Sequence, residues 1–161
     1  LELVDRIRAA VPDISLTTDI IVGFPGESEE DFEETLDVVK RVRFDSAFTF
    51  IYSKRTGTPA AKMSGQVPEA VVKDRFDRLL SLVQKISGEV CTRHVNQVKP
   101  VLVEDADDHM EGYLTGRLDN NILVHFPGDL SLVGKIVPVY LEEAKGFYYM
   151  GRMENERRED T

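Results

Sequence analysis

The hydrophobic pattern of the chain changes period near Cys91. Before it, apolar residues recur mostly at helical spacing, broken by two short β-rich runs. Leu1, Val4, Ile7 and Arg8 follow an amphipathic helix that Pro12 ends. Residues 16–23, Leu-Thr-Thr-Asp-Ile-Ile-Val-Gly, are β-branched and close in an apolar run, which predicts a strand buried on both faces, as in a parallel sheet. Gly23-Phe24-Pro25-Gly26 reads as a tight loop. Ser28 and Asp31 have the spacing of a capping box with Asp in the Glu position, and Glu27, Glu29, Glu30 and Asp31 suit the positive end of a helix. Phe32, Leu36 and Val39 carry that helix from about Glu29 to Val42. Ala47–Tyr52 is the next strand, which makes a βαβ unit with a right-handed crossover. Residues 53–67, with Gly57, Pro59 and Gly65, read as a long loop of a kind that is often functional. Pro68 then opens a helix to about Val90, striped by Val72, Phe76, Leu79, Leu80, Val83, Ile86 and Val90.

After Cys91 the period is two. Val98–Glu104, Gly112–Leu118, Ile122–Phe126, Lys135–Glu142 and Phe147–Met153 are five strand candidates. Asp119-Asn120-Asn121, Pro127-Gly128-Asp129 and Lys145-Gly146 supply the turns. Five short strands in so little chain predict a small OB-like barrel. The charged tail, residues 155–161, reads as disordered. The first residue, Leu1, falls inside a helical pattern, which predicts a piece of a longer polypeptide.

Composition narrows this picture. The 161 residues are 42% hydrophobic and 30% charged, an ordinary soluble balance. No apolar run approaches the roughly 20 residues that span a bilayer, and no basic-then-apolar leader is visible. A cytoplasmic protein without a membrane partner is the expectation. The lone Cys91 excludes an internal disulfide, and it excludes an iron–sulfur cluster held by this chain's cysteines alone. The net charge is −9, and residues 92–153 carry six Lys and Arg against nine Asp and Glu. An RNA partner would therefore have to meet a local patch. His94, His109 and His125 show no metal-ligand spacing and read as surface or internally satisfied histidines. Glu104, Asp105, Asp107 and Asp108 lack the pattern of an EF-hand loop and read as a solvated hairpin.

Two stretches go beyond generic fold signals. One is Thr18-Asp19-Ile20-Ile21-Val22-Gly23-Phe24-Pro25-Gly26-Glu27 followed by Asp31-Phe32; the other is Phe48-Thr49-Phe50-Ile51-Tyr52-Ser53-Lys54-Arg55-Thr56-Gly57-Thr58-Pro59-Ala60. In this order, before a long helix and a small barrel, they resemble the C-terminal half of the radical-SAM methylthiotransferases. The aromatic form of the second stretch is most similar to the bacterial branch that modifies N6-isopentenyladenosine beside the tRNA anticodon. The resemblance implies an α/β plus all-β fold. Residues 1–67 would be the C-terminal portion of a radical-SAM (β/α) barrel, 68–91 a connecting helix, 92–154 a five-stranded TRAM barrel and 155–161 a charged tail. It implies an enzyme as the full-length parent, with S-adenosylmethionine and two 4Fe-4S clusters whose ligands lie outside this chain. The piece alone would be inactive. The implied partners are a tRNA anticodon arm and the missing N-terminal domains, and two cut barrel strands would invite self-association. Relatives acting on threonylcarbamoyladenosine or on a ribosomal-protein aspartate, and a non-catalytic RNA-binding module, are the rival readings.

On this resemblance Ile21, Gly23, Phe24, Pro25 and Gly26 are the candidates for contact with S-adenosylmethionine. The family's glycine-x-isoleucine-x-glycine pattern is met only in part, since Asp19 stands where the first glycine would. Arg55 could meet a phosphate or a carboxylate through its planar fork; Lys54 beside it reads as a solvated basic residue. On the barrel, Arg117, Asn121, Lys135, Asn120, Lys99 and Arg152 are candidates for an RNA backbone. Tyr113, Phe126, Phe147, Tyr148 and Tyr149 are candidate stacking faces, most of which must fill the core. Tyr148 and Tyr149 are neighbours on one strand and point to opposite faces, so one of them faces outward.

Overall fold

The computed structural model describes residues 1–154. The chain divides into two compact units, Leu1–Ser87 and Gly88–Thr161.

In the first unit, helix α1 (Glu2–Ala10) precedes strand β1 (Thr17–Val22), helix α2 (Glu29–Val42), strand β2 (Ser46–Ile51), helix α3 (Pro59–Lys62) and helix α4 (Glu69–Cys91), which runs on into the second unit. β1 and β2 pair in parallel, with Asp19 opposite Phe48 and Ile21 opposite Phe50. Asp45 sets that register at its start: its carboxylate accepts the Leu16 amide at 2.9 Å and the Ser15 hydroxyl at 3.0 Å. The capping box forms as the sequence requires. The Ser28 hydroxyl accepts the Asp31 amide, and the Asp31 carboxylate accepts the Ser28 amide. Phe32, Leu36, Val39 and Val42 of α2 are buried, as are Val72, Leu79, Val83 and Ile86 of α4. Phe32 lies beneath two cations, with Arg75 and Arg78 at 5.7 and 4.8 Å from its ring centre.

Two expectations for this unit need correcting. β1 is not buried on both faces: Ile21 is 56% exposed, and only Val22 of the strand is buried. The sheet has two strands among the described residues, and Asp19 and Ile21 with Phe48 and Phe50, which share one face of it, are exposed. Residues 53–67 are not all loop. Thr58 accepts the Ala61 amide as an N-cap, and Pro59 opens the single turn of α3.

The second unit is a closed five-stranded barrel made of β3 (Val98–Ala106), β4 (Tyr113–Arg117), β5 (Leu123–Pro127), β6 (Ile136–Ala144) and β7 (Tyr148–Met153), in the order β3-β4-β5-β7-β6. All pairings are antiparallel except β5 with β7. Alternate residues fill the interior: Val101 and Val103, Leu114, Val124 and Phe126, Val137, Val139 and Leu141, and Tyr149, with Leu118 and Cys91. Register shifts at Val103/Asp105 and Leu141/Glu143 bend the strands enough to close the barrel. Gly116 and Gly151 sit where a Cβ would lie 2.6 Å from the Leu102 carbonyl oxygen and 2.7 Å from that of Tyr140, respectively. Only glycine admits that approach.

Tyr149 is fully buried and donates its hydroxyl to the Cys91 carbonyl; Phe126 is likewise in the core. Neither offers a stacking face, so of the tyrosine pair Tyr148 is the outward one. The acidic hairpin is not wholly solvated, because the Asp107 side chain is 2% exposed. The charged tail, residues 155–161, lies outside the described residues. Among the described residues no helix is long and apolar enough to cross a membrane.

Candidate functional sites

Each unit carries one candidate site, and each has its own chemistry. In the first, the loop after β1 is held by a carboxylate. Glu27 accepts the amides of Gly23 and Phe24, and its own backbone carbonyl accepts Arg75 at 3.1 Å. Arg75 is buried, and reaches Glu27 at 3.5 Å and Glu29 at 3.1 Å. Arg78 bridges Glu29, Glu33 and Asp74. Hydrogen bonding to Arg78 is the main cause that holds the Glu29 carboxyl below its ordinary value. Gly23 adopts φ +77° and presses its open side on Val72, so its backbone is fixed from both directions. Arg75 has no sequence signal beyond falling at helical spacing between Val72 and Leu79.

At the C-terminal ends of both strands lies a cleft of about 440 Å³, lined by Ile21, Phe24, Phe50, Tyr52, Arg55 and Thr58 among others. It unites Ile21 and Phe24 with Arg55. Gly23 faces a separate hollow with Tyr52, Lys54 and Glu69. Pro25 is buried, Gly26 is exposed, and neither lines the cleft. The Tyr52 hydroxyl, unforeseen from sequence, is closed off from solvent with no hydrogen-bond partner among the described residues. Its ring packs edge-on against Phe24 at 5.3 Å. A buried phenol without a partner costs roughly 1–3 kcal/mol, which a ligand acceptor would relieve. Apolar walls, an orphan hydroxyl and a guanidinium suit a flat apolar group attached to a charged one. S-adenosylmethionine fits that description. Its cluster partners do not fit, since the one thiol is buried, with Cys91 Sγ 3.9 Å from the Tyr148 carbonyl.

On the barrel, the candidates Arg117 and Arg152 are already engaged, as is Lys145. Arg117 donates to Glu104 at 3.0 Å and to the Asn121 carbonyl at 3.0 Å. Arg152 donates to Glu142 at 3.0 Å and lies 4.7 Å over the Tyr140 ring. Lys145 reaches Glu143 at 2.6 Å. Lys99 and Lys135 make no ion pair with any described residue. A hollow of about 310 Å³ brings Arg117 and Asn121 together with Leu102, Glu104 and Ile136. Lys135 and Tyr148 do not line it. Asn121, at φ +67°, holds the left-handed corner between β4 and β5. Neither His94 nor His125 is a bare surface residue. His94 is buried and accepts from Arg93 at 3.0 Å, and His125 Nδ1 is hydrogen-bonded to Asp107.

Residues 92–153 match the TRAM domain. Over 153 residues, 95% of this chain, it is 58% identical to the tRNA-2-methylthio-N(6)-dimethylallyladenosine synthase of Lachnoclostridium phytofermentans, covering 34% of that protein. Proteins of the same name from Acetivibrio thermocellus and Geobacillus thermodenitrificans are 53% and 51% identical over 90% and 97% of the chain, and 30% of each is covered. The chain thus spans about a third of the length of the curated relatives it matches. Residues 92–153 are similar to TRAM domains, and along nearly its whole length the chain is similar to about one third of the tRNA-2-methylthio-N(6)-dimethylallyladenosine synthases it matches.

Proposed function

We propose that this chain is the C-terminal part of a cytoplasmic enzyme that adds a methylthio group to C2 of an N6-prenylated adenosine beside the tRNA anticodon. The observation that carries the reading is the 58% identity over 153 residues, which takes in both units. That span also disfavours a free-standing RNA-binding module, since the matched length is far greater than the TRAM barrel. Residues 1–67 are read as the last strands of a radical-SAM barrel, 68–91 as a connector and 92–154 as the RNA-binding barrel. The two-stranded parallel sheet with one bare apolar face supports this, because a parallel strand pair ordinarily sits inside a larger covered sheet.

In this reading Ile21, Phe24 and Phe50 hold the adenine of S-adenosylmethionine, the Tyr52 hydroxyl donates to it, and Arg55 pairs with its carboxylate. S-adenosylmethionine supplies the methyl group and the radical. Glu27 and Arg75 act on neither; they fix the Gly23–Phe24 backbone so that the cleft keeps its shape. The barrel holds the anticodon arm. With Arg117, Arg152 and Lys145 committed to carboxylates, few phosphates can be engaged.

The test of the RNA assignment is a fluorescence titration of a labelled anticodon stem-loop at several salt concentrations. The expected result is binding with a salt slope no steeper than about −4, against nearly −1 per phosphate engaged. No binding at low salt by the folded chain would contradict it. The test of the enzyme assignment is the sequence encoded upstream. A Cys-x-x-x-Cys-x-x-Cys triplet there supports it, and its lack overturns it.

A further inference from the structure

Tyr148, on the outer face of β7, is flanked by two other rings. Phe147 meets it at 5.5 Å and 68°, and His125 of β5 at 5.0 Å and 80°, both edge-to-face. Phe147 is 79% exposed, the highest value among the large hydrophobic residues in the described chain. His125 is held from beneath. Its Nδ1 is hydrogen-bonded to Asp107, whose side chain is 2% exposed and also accepts the amides of His109 and Met110. Burial works against the Asp107 charge, but the His109 amide, the His125 ring and the Met110 amide outweigh it and keep the carboxyl below its ordinary value. A carboxylate on Nδ1 fixes both the ring's orientation and its tautomer. Nε2 makes no hydrogen bond to a described residue, yet it is not closed off from solvent. It is the ring nitrogen left for a ligand.

We propose that Phe147, Tyr148 and His125 form a platform on which the barrel stacks an unpaired RNA base, with His125 Nε2 as a fixed hydrogen-bonding atom and Asp107 as its positioning residue. The proposal rests on the RNA reading above and names the surface that would serve it. Three observations favour this face. Exposed rings are sequence-tolerant stacking surfaces for single-stranded nucleic acid. The aliphatic face made by Leu102 and Ile136, with Pro100 opposite Pro138, offers one ring, Tyr140, which Arg152 already covers. Arg117 and Arg152 are tied to carboxylates, which leaves Lys99 and Lys135 as cations without an ion pair to a described residue, so ring contacts have to supply much of the affinity.

The experiment uses the whole chain and a labelled anticodon stem-loop, with a blunt RNA duplex of the same stem sequence as the control. Phe147→Ala and Tyr148→Ala should each weaken stem-loop binding about tenfold or more and leave the salt slope unchanged. Tyr148→Phe should bind like the parent. His125→Ala should weaken binding. Asp107→Asn, which can keep the turn at His109, should weaken binding to a lesser degree and shift the ring nitrogen-15 signals of His125 towards a mixture of tautomers. Melting temperatures of all variants report whether the barrel stays folded. Stem-loop binding by the parent that survives Phe147→Ala and Tyr148→Ala in folded chains overturns the platform and leaves the RNA reading standing. So does equal affinity for the duplex. Absence of any RNA binding by the parent overturns both.

Discussion

Tyr149 donates its hydroxyl to the backbone carbonyl of Cys91, joining the last strand of the barrel to the last residue of the helix that enters it. Both partners are buried, so removing the hydroxyl takes a buried hydrogen bond from the Cys91 carbonyl. Tyr149→Phe should cost about 1–2 kcal/mol in denaturant unfolding. Burial, and next the bond to Cys91, push the phenol well above its ordinary value of about 10. A group whose folded value is raised contributes stability that is complete below the unfolded value and is lost as pH rises through the folded one. The parent should therefore lose stability above about pH 10, and the phenylalanine variant should lose less. Equal alkaline slopes for the two would refute the assignment.

Barrel closure depends on two glycines at equivalent crossings. A methyl group at Gly116 would meet the Leu102 carbonyl, and one at Gly151 that of Tyr140, and neither backbone can yield cheaply. Gly116→Ala and Gly151→Ala should each destabilise the barrel by about 1–3 kcal/mol. Gly112→Ala, with open space around its Cβ but a φ of +79°, should cost only its backbone strain, about 1 kcal/mol. Thermal melts of the three variants check the order.

In the first unit, Arg75 is the buried centre of the Glu27–Glu29 cluster. Arg75→Met leaves Glu27 desolvated without a cation and should cost about 3 kcal/mol. It should also raise amide exchange at Gly23 and Phe24, whose N–H groups depend on that carboxylate. Unchanged exchange there would show that the loop holds itself.

The bare face of the parallel sheet predicts an association. Ile21, Phe48 and Phe50 are each at least half exposed on adjacent parallel strands. By itself the chain should self-associate through this face as its concentration rises. Phe48→Glu with Phe50→Glu should restore the monomer in light scattering. A parent monomeric at high concentration would contradict this.

Much of this architecture was legible because its determinants are local. Ser28 and Asp31 announce α2 within one turn, and period-two alternation from Val98 to Met153 gives the barrel strands nearly residue by residue. The parity of Tyr148 and Tyr149 showed that one must face outward; which one depended on the barrel's closure. What was not legible is long-range. An apolar run states what β1 requires, not whether the chain supplies a second layer to cover it. Asp107 and His125 are 18 residues apart, and only the barrel brings them into contact. The Tyr52 hydroxyl is orphaned by the packing around it, which no spacing records. The four residues of α3 are too few to show a period, although Thr58-Pro59 is a helix-start pair.

We propose that the polypeptide containing this chain methylthiolates tRNA. Mass analysis of tRNA nucleosides from cells lacking the gene tests it most directly. The account predicts that the methylthio form of the prenylated adenosine disappears, that its unmodified precursor accumulates, and that the full-length gene restores it. An unchanged nucleoside profile in the deletion strain would contradict the account.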